Sequence, residues 1–211
     1  EGGYSETAAW GDYNKDGLVD IYVSNSEGSF RNYFYQNTGK LSFKKLINGD
    51  NTTDAFASRS VNWVDVDNDG DQDLFVTNEN NQNENLYVNN GNGSFMKMTS
   101  GPLLNNAGNT MSSSWSDYDN DGDLDVFLTN YQGPNALFRN EGNLNFTKIT
   151  DDTLVRLKSL SFSSSWGDID NDGDEDLFVT NSFSTNNSKL VNFLFMNDGK
   201  GHFERNTIDV V

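Results

Sequence analysis

The sequence of 211 residues contains 32 acidic and 14 basic residues and carries a formal net charge of -18 at pH 7. So acidic a surface disfavours nucleic acid as a partner, and the absence of cysteine excludes disulfides. The 34% hydrophobic content is enough for a packed core, and no apolar run approaches membrane-spanning length. The chain begins at Glu1 without a recognisable signal peptide, so we expect a mature or excised piece of a longer product.

One 16-residue segment occurs four times along the chain, starting at Trp10, Trp63, Trp115 and Trp166. The copies read WGDYNKDGLVDIYVSN, WVDVDNDGDQDLFVTN, WSDYDNDGDLDVFLTN and WGDIDNDGDEDLFVTN. A second shared block follows each copy and reads FYQNTGKLSF, LYVNNGNGSF, LFRNEGNLNF and LFMNDGKGHF. Two blocks in a fixed order, spaced by 53, 52 and 51 residues, predict a repeat architecture.

Each repeat predicts four short strands in chain order. The first strand ends at the Trp, an Asp-rich loop turns the chain, the second strand carries a Leu-Phe-Val type segment, and an Asn-Gly type turn joins the last two. Four strands in repeats of this length are typical of propeller blades. We therefore predict an all-β fold, a single β-propeller region over 1–211 with four four-stranded blades at about 4–48, 56–100, 109–150 and 159–208.

The four Trp residues share one register, which indicates either core anchors between neighbouring repeats or a ring of sugar-stacking aromatics. Sequence alone leaves three arrangements open for the four blades: part of a larger ring, a smaller closed ring, or a fragment that pairs with another copy. An unclosed fragment would expose two apolar faces and tend to associate.

Eighteen of the 32 acidic residues are Asp residues in the windows 12–20, 65–73, 117–125 and 168–176. Alternating oxygen donors on a tight loop suit Ca²⁺, which takes six to eight oxygen ligands. Counting from the first Asp of each window, we expect ligands at positions 1, 3, 5, 7 and 9, with position 7 contributing its carbonyl oxygen. These residues are Asp12, Asn14, Asp16, Leu18 and Asp20; Asp65, Asp67, Asp69, Asp71 and Asp73; Asp117, Asp119, Asp121, Asp123 and Asp125; and Asp168, Asp170, Asp172, Asp174 and Asp176.

The loops differ from an EF-hand at position 12, where that motif needs a bidentate Glu and these repeats carry Val or Leu. Mg²⁺ rarely accepts an all-protein cage, and Zn²⁺ lacks its usual ligands in a chain with no Cys and one His. About four Ca²⁺ sites are therefore expected, one per repeat. The first should be the weakest, because Asn14 removes a carboxylate and Lys15 brings a cation into the loop.

The two shared blocks resemble the integrin-α-type FG-GAP/VCBS repeat propellers, in particular a bacterial cartilage acidic protein-like branch. The resemblance covers essentially the whole chain and implies calcium at the hairpin loops, an extracellular setting, and adhesion or ligand recognition. The FG and GAP tripeptides themselves do not occur in the sequence.

The function expected from these features is an extracellular calcium-binding module, secreted or at the cell surface, with a structural, adhesive or ligand-binding role. Its expected partner is a protein or glycan outside the cell, without membrane insertion. A calcium-dependent lectin is the alternative. Four Asn residues at the ends of the second strands are either glycan-binding candidates or strand caps that enter left-handed turns: Asn25, Asn78, Asn130 and Asn181. Catalysis is not expected, because the sole histidine, His202, occupies a variable turn and a free acid/base pair would need residues such as Glu84 or Glu141. A non-catalytic part of a polysaccharide-active enzyme is a further alternative.

Overall fold

The computed structural model describes residues 3–26, 31–182 and 191–207. Sixteen strands and three short helices lie in this part of the chain. The first repeat forms β1 (Ser5–Gly11), β2 (Asp20–Asn25), β3 (Tyr33–Asn37) and β4 (Phe43–Leu46). The second forms β5 (Ser58–Val64), β6 (Asp73–Asn78), β7 (Asn85–Asn89) and β8 (Phe95–Lys97). The third forms β9 (Thr110–Ser116), β10 (Asp125–Pro134), β11 (Ala136–Asn140) and β12 (Phe146–Ile149). The fourth forms β13 (Lys158–Gly167), β14 (Asp176–Asn181), β15 (Phe193–Asn197) and β16 (Phe203–Asn206).

Short helical turns lie in the links between successive repeats. They are α1 (Asp50–Thr53), a 3₁₀ turn at Leu103–Asn105, and α2 (Thr153–Arg156). The sequence pattern does not predict these turns. Among the described residues, no helix is long and apolar enough to cross a membrane.

Neighbouring strands within each repeat pair antiparallel in chain order, which confirms the predicted all-β class. The third and fourth repeats join into one eight-stranded sheet, because the extended end of β10 pairs with the start of β13 through Tyr131 opposite Leu160 and Gly133 opposite Ser159. The chain divides into two compact units, 1–108 and 109–211, and each holds two repeats.

Each unit has its own aromatic and aliphatic core. In the first unit the buried cluster consists of Tyr13, Tyr22, Phe34, Val61, Leu74, Val76 and Tyr87. In the second unit it consists of Tyr118, Phe127, Leu137, Leu154, Leu177, Val179, Phe195 and Phe203. Every residue of β6 and β7 is buried, as expected for central strands that are covered on both faces.

The tryptophans were expected to anchor neighbouring repeats, and Trp63 and Trp166 do so. Trp63, from the second repeat, lies with its ring centroid 5.7 Å from that of Phe34 in the first. Trp166 stacks on Tyr118 of the third repeat at 6.2 Å. Trp10 is 58% exposed, and its ring contact among the described residues is with Phe43 of its own repeat.

Candidate metal centres

The Asp-rich loops are closed by their own first carboxylate. In every loop, the two oxygens at position 1 accept the backbone N–H groups of positions 5 and 6 at 2.9 to 3.1 Å. One oxygen at position 5 accepts the N–H of position 7 at 2.8 to 3.0 Å. These bonds hold the loop in a tight turn.

Two positions of each loop adopt positive φ. Position 6 was predicted to need glycine for this reason, and φ there lies between 81° and 99° at Gly17, Gly70, Gly122 and Gly173. Position 4 is also left-handed, with φ of 54° to 62° at Lys15, Asn68, Asn120 and Asn171. This second requirement was not predicted, although Asn, which occupies position 4 in three of the four loops, tolerates a left-handed φ best after glycine.

Three loops bring carboxylates together. Positions 1, 3 and 9 each place one carboxylate oxygen within 4.8 Å of the other two, in the sets Asp65, Asp67 and Asp73; Asp117, Asp119 and Asp125; and Asp168, Asp170 and Asp176. The Oδ1 atoms of Asp67 and Asp119 are buried and lack a hydrogen-bond partner. A buried oxygen without a donor is costly unless something satisfies it. These clusters could therefore hold a metal ion.

Position 9 carries the most deeply buried carboxylate of each loop. Asp20, Asp73 and Asp125 are fully buried and Asp176 is 2% exposed. One oxygen accepts the N–H of the Asn that ends the third strand, as in the 2.7 Å bond from Asn89 to Asp73. In the last three repeats the other oxygen accepts the N–H of position 2, at 2.9 to 3.2 Å.

Burial makes these acids hold protons more tightly. It raises the pKa of Asp73 to about 7 and that of Asp125 to about 8, and neighbouring carboxylates add to the effect. The same cause raises the pKa of Asp20 and of the position 3 residues Asp67 and Asp119. A divalent cation would replace the protons and keep the carboxylates charged.

The side chains at position 7 do not join the clusters. Asp71 pairs with Lys15 at 2.6 Å, and Asp174 accepts a hydrogen bond from Asn120 at 3.0 Å. In both units, therefore, position 4 of one loop contacts position 7 of the next. A ligand role for the carbonyl oxygen at position 7 stays a prediction.

The first loop is different from the other three. Asn14 occupies position 3, so no third carboxylate converges with Asp12 and Asp20, and the Asn14 amide donates to Asp16 at 3.0 Å. The expectation that Lys15 brings its cation into this loop is wrong, because its ammonium extends to Asp71 of the second loop. The weaker affinity expected of this site rests on Asn14 and stays a prediction.

Sequence reasoning missed the Asn that ends the third strand of every repeat. Its backbone orients position 9, and its side-chain oxygen accepts the N–H of the turn glycine at 2.9 to 3.2 Å. In the second and fourth repeats its amide also donates to the carbonyl at position 2 of the preceding loop, in the pairs Asn89 with Tyr13 (2.8 Å) and Asn197 with Tyr118 (2.7 Å). The presence of this Asn in all four copies of the second block was the available signal.

The Asn residues at the ends of the second strands are structural. The Asn78 amide donates to the Asn83 carbonyl at 2.6 Å and its oxygen accepts from Ser58 at 2.9 Å. Asn25, Asn130 and Asn181 make the same pair of bonds, accepting from a Ser or Thr hydroxyl and donating to a carbonyl two residues before the third strand. The strand-cap interpretation is confirmed, and these side chains are already engaged. They do not, however, adopt the left-handed φ of a turn residue.

The remaining candidates for acid/base chemistry have structural roles. Glu84 is 3% exposed and accepts the Asn78 N–H at 2.7 Å. Glu141 pairs with Arg139 at 2.6 Å, which lowers the pKa of Glu141. His202 is exposed in the turn before Phe203, as expected.

Fold and loops together define an all-β protein of four-stranded repeats, each with an oxygen-rich turn after its first strand. The family model for FG-GAP-like repeats matches three overlapping segments, 12–76, 65–128 and 117–179. The chain therefore belongs to the FG-GAP-like repeat family, as the sequence predicted. The bacterial branch within that family stays a prediction, and no curated protein matches the chain in sequence.

A solved structure supports the same fold. The chain is similar to a lectin from Agrocybe aegerita described as recognising non-reducing terminal N-acetylglucosamine, with a TM-score of 0.60 and 17% sequence identity. The similarity covers 95% of this chain and 51% of the lectin, so the chain spans about half of the lectin's length. It confirms the propeller fold class; at this identity it carries no information about the ligand.

Proposed function

We propose that the protein is an extracellular calcium-stabilised propeller module that presents a binding surface and does not catalyse a reaction. The observation that carries the proposal is the set of three carboxylate clusters, in two of which a buried oxygen lacks a donor. Oxygen-only donor sets on tight loops fit Ca²⁺ better than Zn²⁺, which prefers nitrogen and sulfur.

The net charge supports the same proposal. A charge of -18 destabilises the compact state through self-repulsion, and four divalent ions would reduce it to -10. Sites of modest affinity fill at the millimolar calcium levels outside cells. This requirement favours secretion or display at the cell surface.

Calcium dependence can be measured directly. Unfolding is followed by circular dichroism in excess chelator, in calcium and in magnesium, and calcium stoichiometry by calorimetry. We expect calcium to raise the melting temperature by about 10 °C or more, which corresponds to a stabilisation of several kcal/mol. Magnesium should have a smaller effect. Calorimetry should give at least three bound calcium ions. An identical melting curve in chelator and calcium would contradict the proposal.

Glycan binding is the second candidate, because the solved lectin shows that a protein with this fold can recognise a glycan. The four strand-end Asn residues are engaged, but the second unit has a groove of about 290 Å³ lined by Tyr118, Arg139, Lys148 and His202 among others. A glycan array in calcium and in chelator tests this role. A hit should weaken on Lys148→Ala and persist on the control Lys158→Ala, an exposed lysine outside the groove. An array without hits would dismiss glycan binding and leave the calcium proposal intact.

A further inference from the structure

The first residue of the third strand differs in chemical character between the four repeats. In every repeat it pairs with the fourth residue of the second strand, so the four positions are structurally equivalent. The residues at this position are Tyr33, Asn85, Ala136 and Phe193. The first and fourth repeats therefore carry an aromatic ring here, whereas the second repeat carries an amide.

The aromatic rings at this position lie beneath a cation of the fourth strand. The Lys45 ammonium is 4.0 Å from the centroid of the Tyr33 ring, and the Arg205 guanidinium is 4.3 Å from that of Phe193. The equivalent cation of the second repeat is Lys97, which has the same register on its third strand. Two repeats thus show an aromatic ring packed at this place, against a cation that the second repeat also has.

In the second repeat a groove accompanies the smaller side chain. The groove has a volume of about 360 Å³, and both Asn85 and Lys97 line it. The corresponding groove of the first repeat, lined by Tyr33 and Lys45, has a volume of about 120 Å³. A volume of 360 Å³ lies within the range of small-molecule sites. We call the groove of the second repeat the amide groove.

The amide groove combines apolar walls with a buried donor. Phe56, Met98 and Leu104 supply a ring, a thioether and a branched aliphatic group. Asn85 is 3% exposed, and its amide nitrogen is buried without a hydrogen-bond acceptor among the described residues. A buried donor without an acceptor is unfavourable. A ligand that brings an acceptor oxygen to Asn85 would remove this cost.

The charges of the amide groove disfavour an anionic ligand. The Glu84 carboxylate lines it, is 3% exposed and accepts the Asn78 N–H at 2.7 Å. The positive charge of Lys97 is offset by Asp54, whose carboxylate lies 2.5 Å from the ammonium. With a net charge of -18 on the whole chain, a neutral ligand is favoured over a phosphorylated or sulfated one.

We propose that the amide groove binds a neutral aromatic ring that carries a hydroxyl group, as in the side chain of a tyrosine on a partner protein. The ring packs against Phe56 and Met98, and its hydroxyl oxygen accepts a hydrogen bond from the Asn85 amide. The occupant is aromatic because the first and fourth repeats fill the equivalent position with aromatic rings of their own.

This assignment gives a ligand class to the binding surface of the proposed function. The groove includes no residue of the Asp-rich loops 12–20 and 65–73. Ligand binding in the groove and calcium binding in the loops can therefore be measured, and can fail, independently.

The experiment is an NMR titration of the calcium-loaded protein that follows the side-chain amide signals of Asn85. N-acetyl-tyrosinamide should bind with a dissociation constant on the order of 1 mM or tighter. N-acetyl-phenylalaninamide should bind roughly fivefold more weakly, because it has no oxygen to accept the Asn85 hydrogen bond. Phosphotyrosine and N-acetylglucosamine should not bind in the groove.

Substitutions at Asn85 separate the space from the donor. Asn85→Phe introduces the ring that the fourth repeat carries, so it should fill the groove and abolish binding. Asn85→Ala leaves the groove open but removes the donor, so the tyrosine and phenylalanine compounds should bind equally. Met98→Ala should weaken the binding of both compounds. Met96→Ala is the matched control and should leave binding unchanged, because Met96 is 51% exposed on β8 and does not line the groove.

Three results would overturn the proposal. They are a wild type that does not bind the tyrosine compound, unchanged binding in both Asn85→Phe and Met98→Ala, or tighter binding of N-acetylglucosamine than of the tyrosine compound, which would make the groove a sugar site. Circular dichroism verifies that each variant is folded, and Asn85→Ala with Met98→Ala decides if Asn85→Phe is not. None of these results would change the effect of calcium on the melting curve, which tests the proposed function separately.

Discussion

At the scale of single residues, the position 9 carboxylate links folding to metal binding. Asp125 is fully buried and accepts N–H groups from Tyr118 and Asn140 at 3.2 and 2.8 Å. These donors fix the carboxylate but do not neutralise it, and an isolated buried charge is strongly unfavourable. The group must therefore hold a proton or a cation.

Asp125→Asn should abolish metal binding in the third loop and lower stability. An amide group offers one acceptor oxygen where the two N–H donors need two, so one buried N–H is left unpaired, at a cost of about 1–3 kcal/mol. In calcium the lost ion adds to this cost, so urea unfolding should show a larger loss in calcium than in chelator. Asp123→Asn, at position 7 outside the cluster, is the control; an equal loss for both variants would contradict the assigned roles.

At the scale of elements, the Asp loop and the turn after the third strand act as one unit. Asn89 is 2% exposed, and its side chain bonds to the Tyr13 and Gln72 carbonyls and the Gly91 N–H. It thereby links the second repeat to the loop of the first. The paired appearance of the two sequence blocks has this physical cause.

Asn89→Ala should lower the free energy of unfolding by about 2–3 kcal/mol, since it removes three hydrogen bonds worth roughly 1 kcal/mol each. It should also weaken calcium binding in the second loop, because Asp73 depends on the position of the Asn89 backbone. The neighbouring Asn90→Ala is the control, since the only side-chain bond recorded for Asn90 in the described residues is an exposed one to Ser94. Urea titration with calcium calorimetry measures both effects, and equal behaviour of the two variants would refute the link.

The first loop allows a comparison of two substitutions. Asn14→Asp restores the third carboxylate at position 3 and should raise calcium affinity about tenfold or more, equivalent to 1.4 kcal/mol or more. Lys15→Asn should change it less, because the Lys15 ammonium lies against Asp71 in the second loop. Calorimetry on the two variants measures the calcium affinity of the first loop. A larger gain in affinity from Lys15→Asn would show that charge near the loop matters more than the number of carboxylate ligands.

Local pattern predicted the repeats, their four strands, the Asp loops and the position 6 glycines, because each depends on a few adjacent residues. It did not predict the contacts between repeats. The ion pair of Lys15 with Asp71 and the bond from Asn89 to the Tyr13 carbonyl join residues of different repeats, 56 and 76 positions apart in the chain. The same dependence explains why identical sequence blocks have different environments in different repeats.

At the scale of the whole molecule, acidity and calcium have opposite effects on stability. The chain has a charge of -18, and its most buried carboxylates, those at position 9, lie in the Asp-rich loops. Without metal, protonation relieves the repulsion, and with metal, the ion does so. The pH dependence of stability should therefore differ between the two states.

In chelator, the melting temperature should fall as pH rises from 5 to 8.5. The pKa values of Asp73 and Asp125 rise from 3.8 in the unfolded chain to about 7 and 8 in the fold, so the folded state binds protons more tightly. Their contribution is complete below pH 4 and is lost as pH rises through 7 to 8. Calcium needs the deprotonated carboxylates, so the stabilisation it provides should grow over the same range. Melting curves at pH 5 and 8.5, with and without calcium, test this; a calcium effect of equal size at both pH values would show that these carboxylates do not bind the ion.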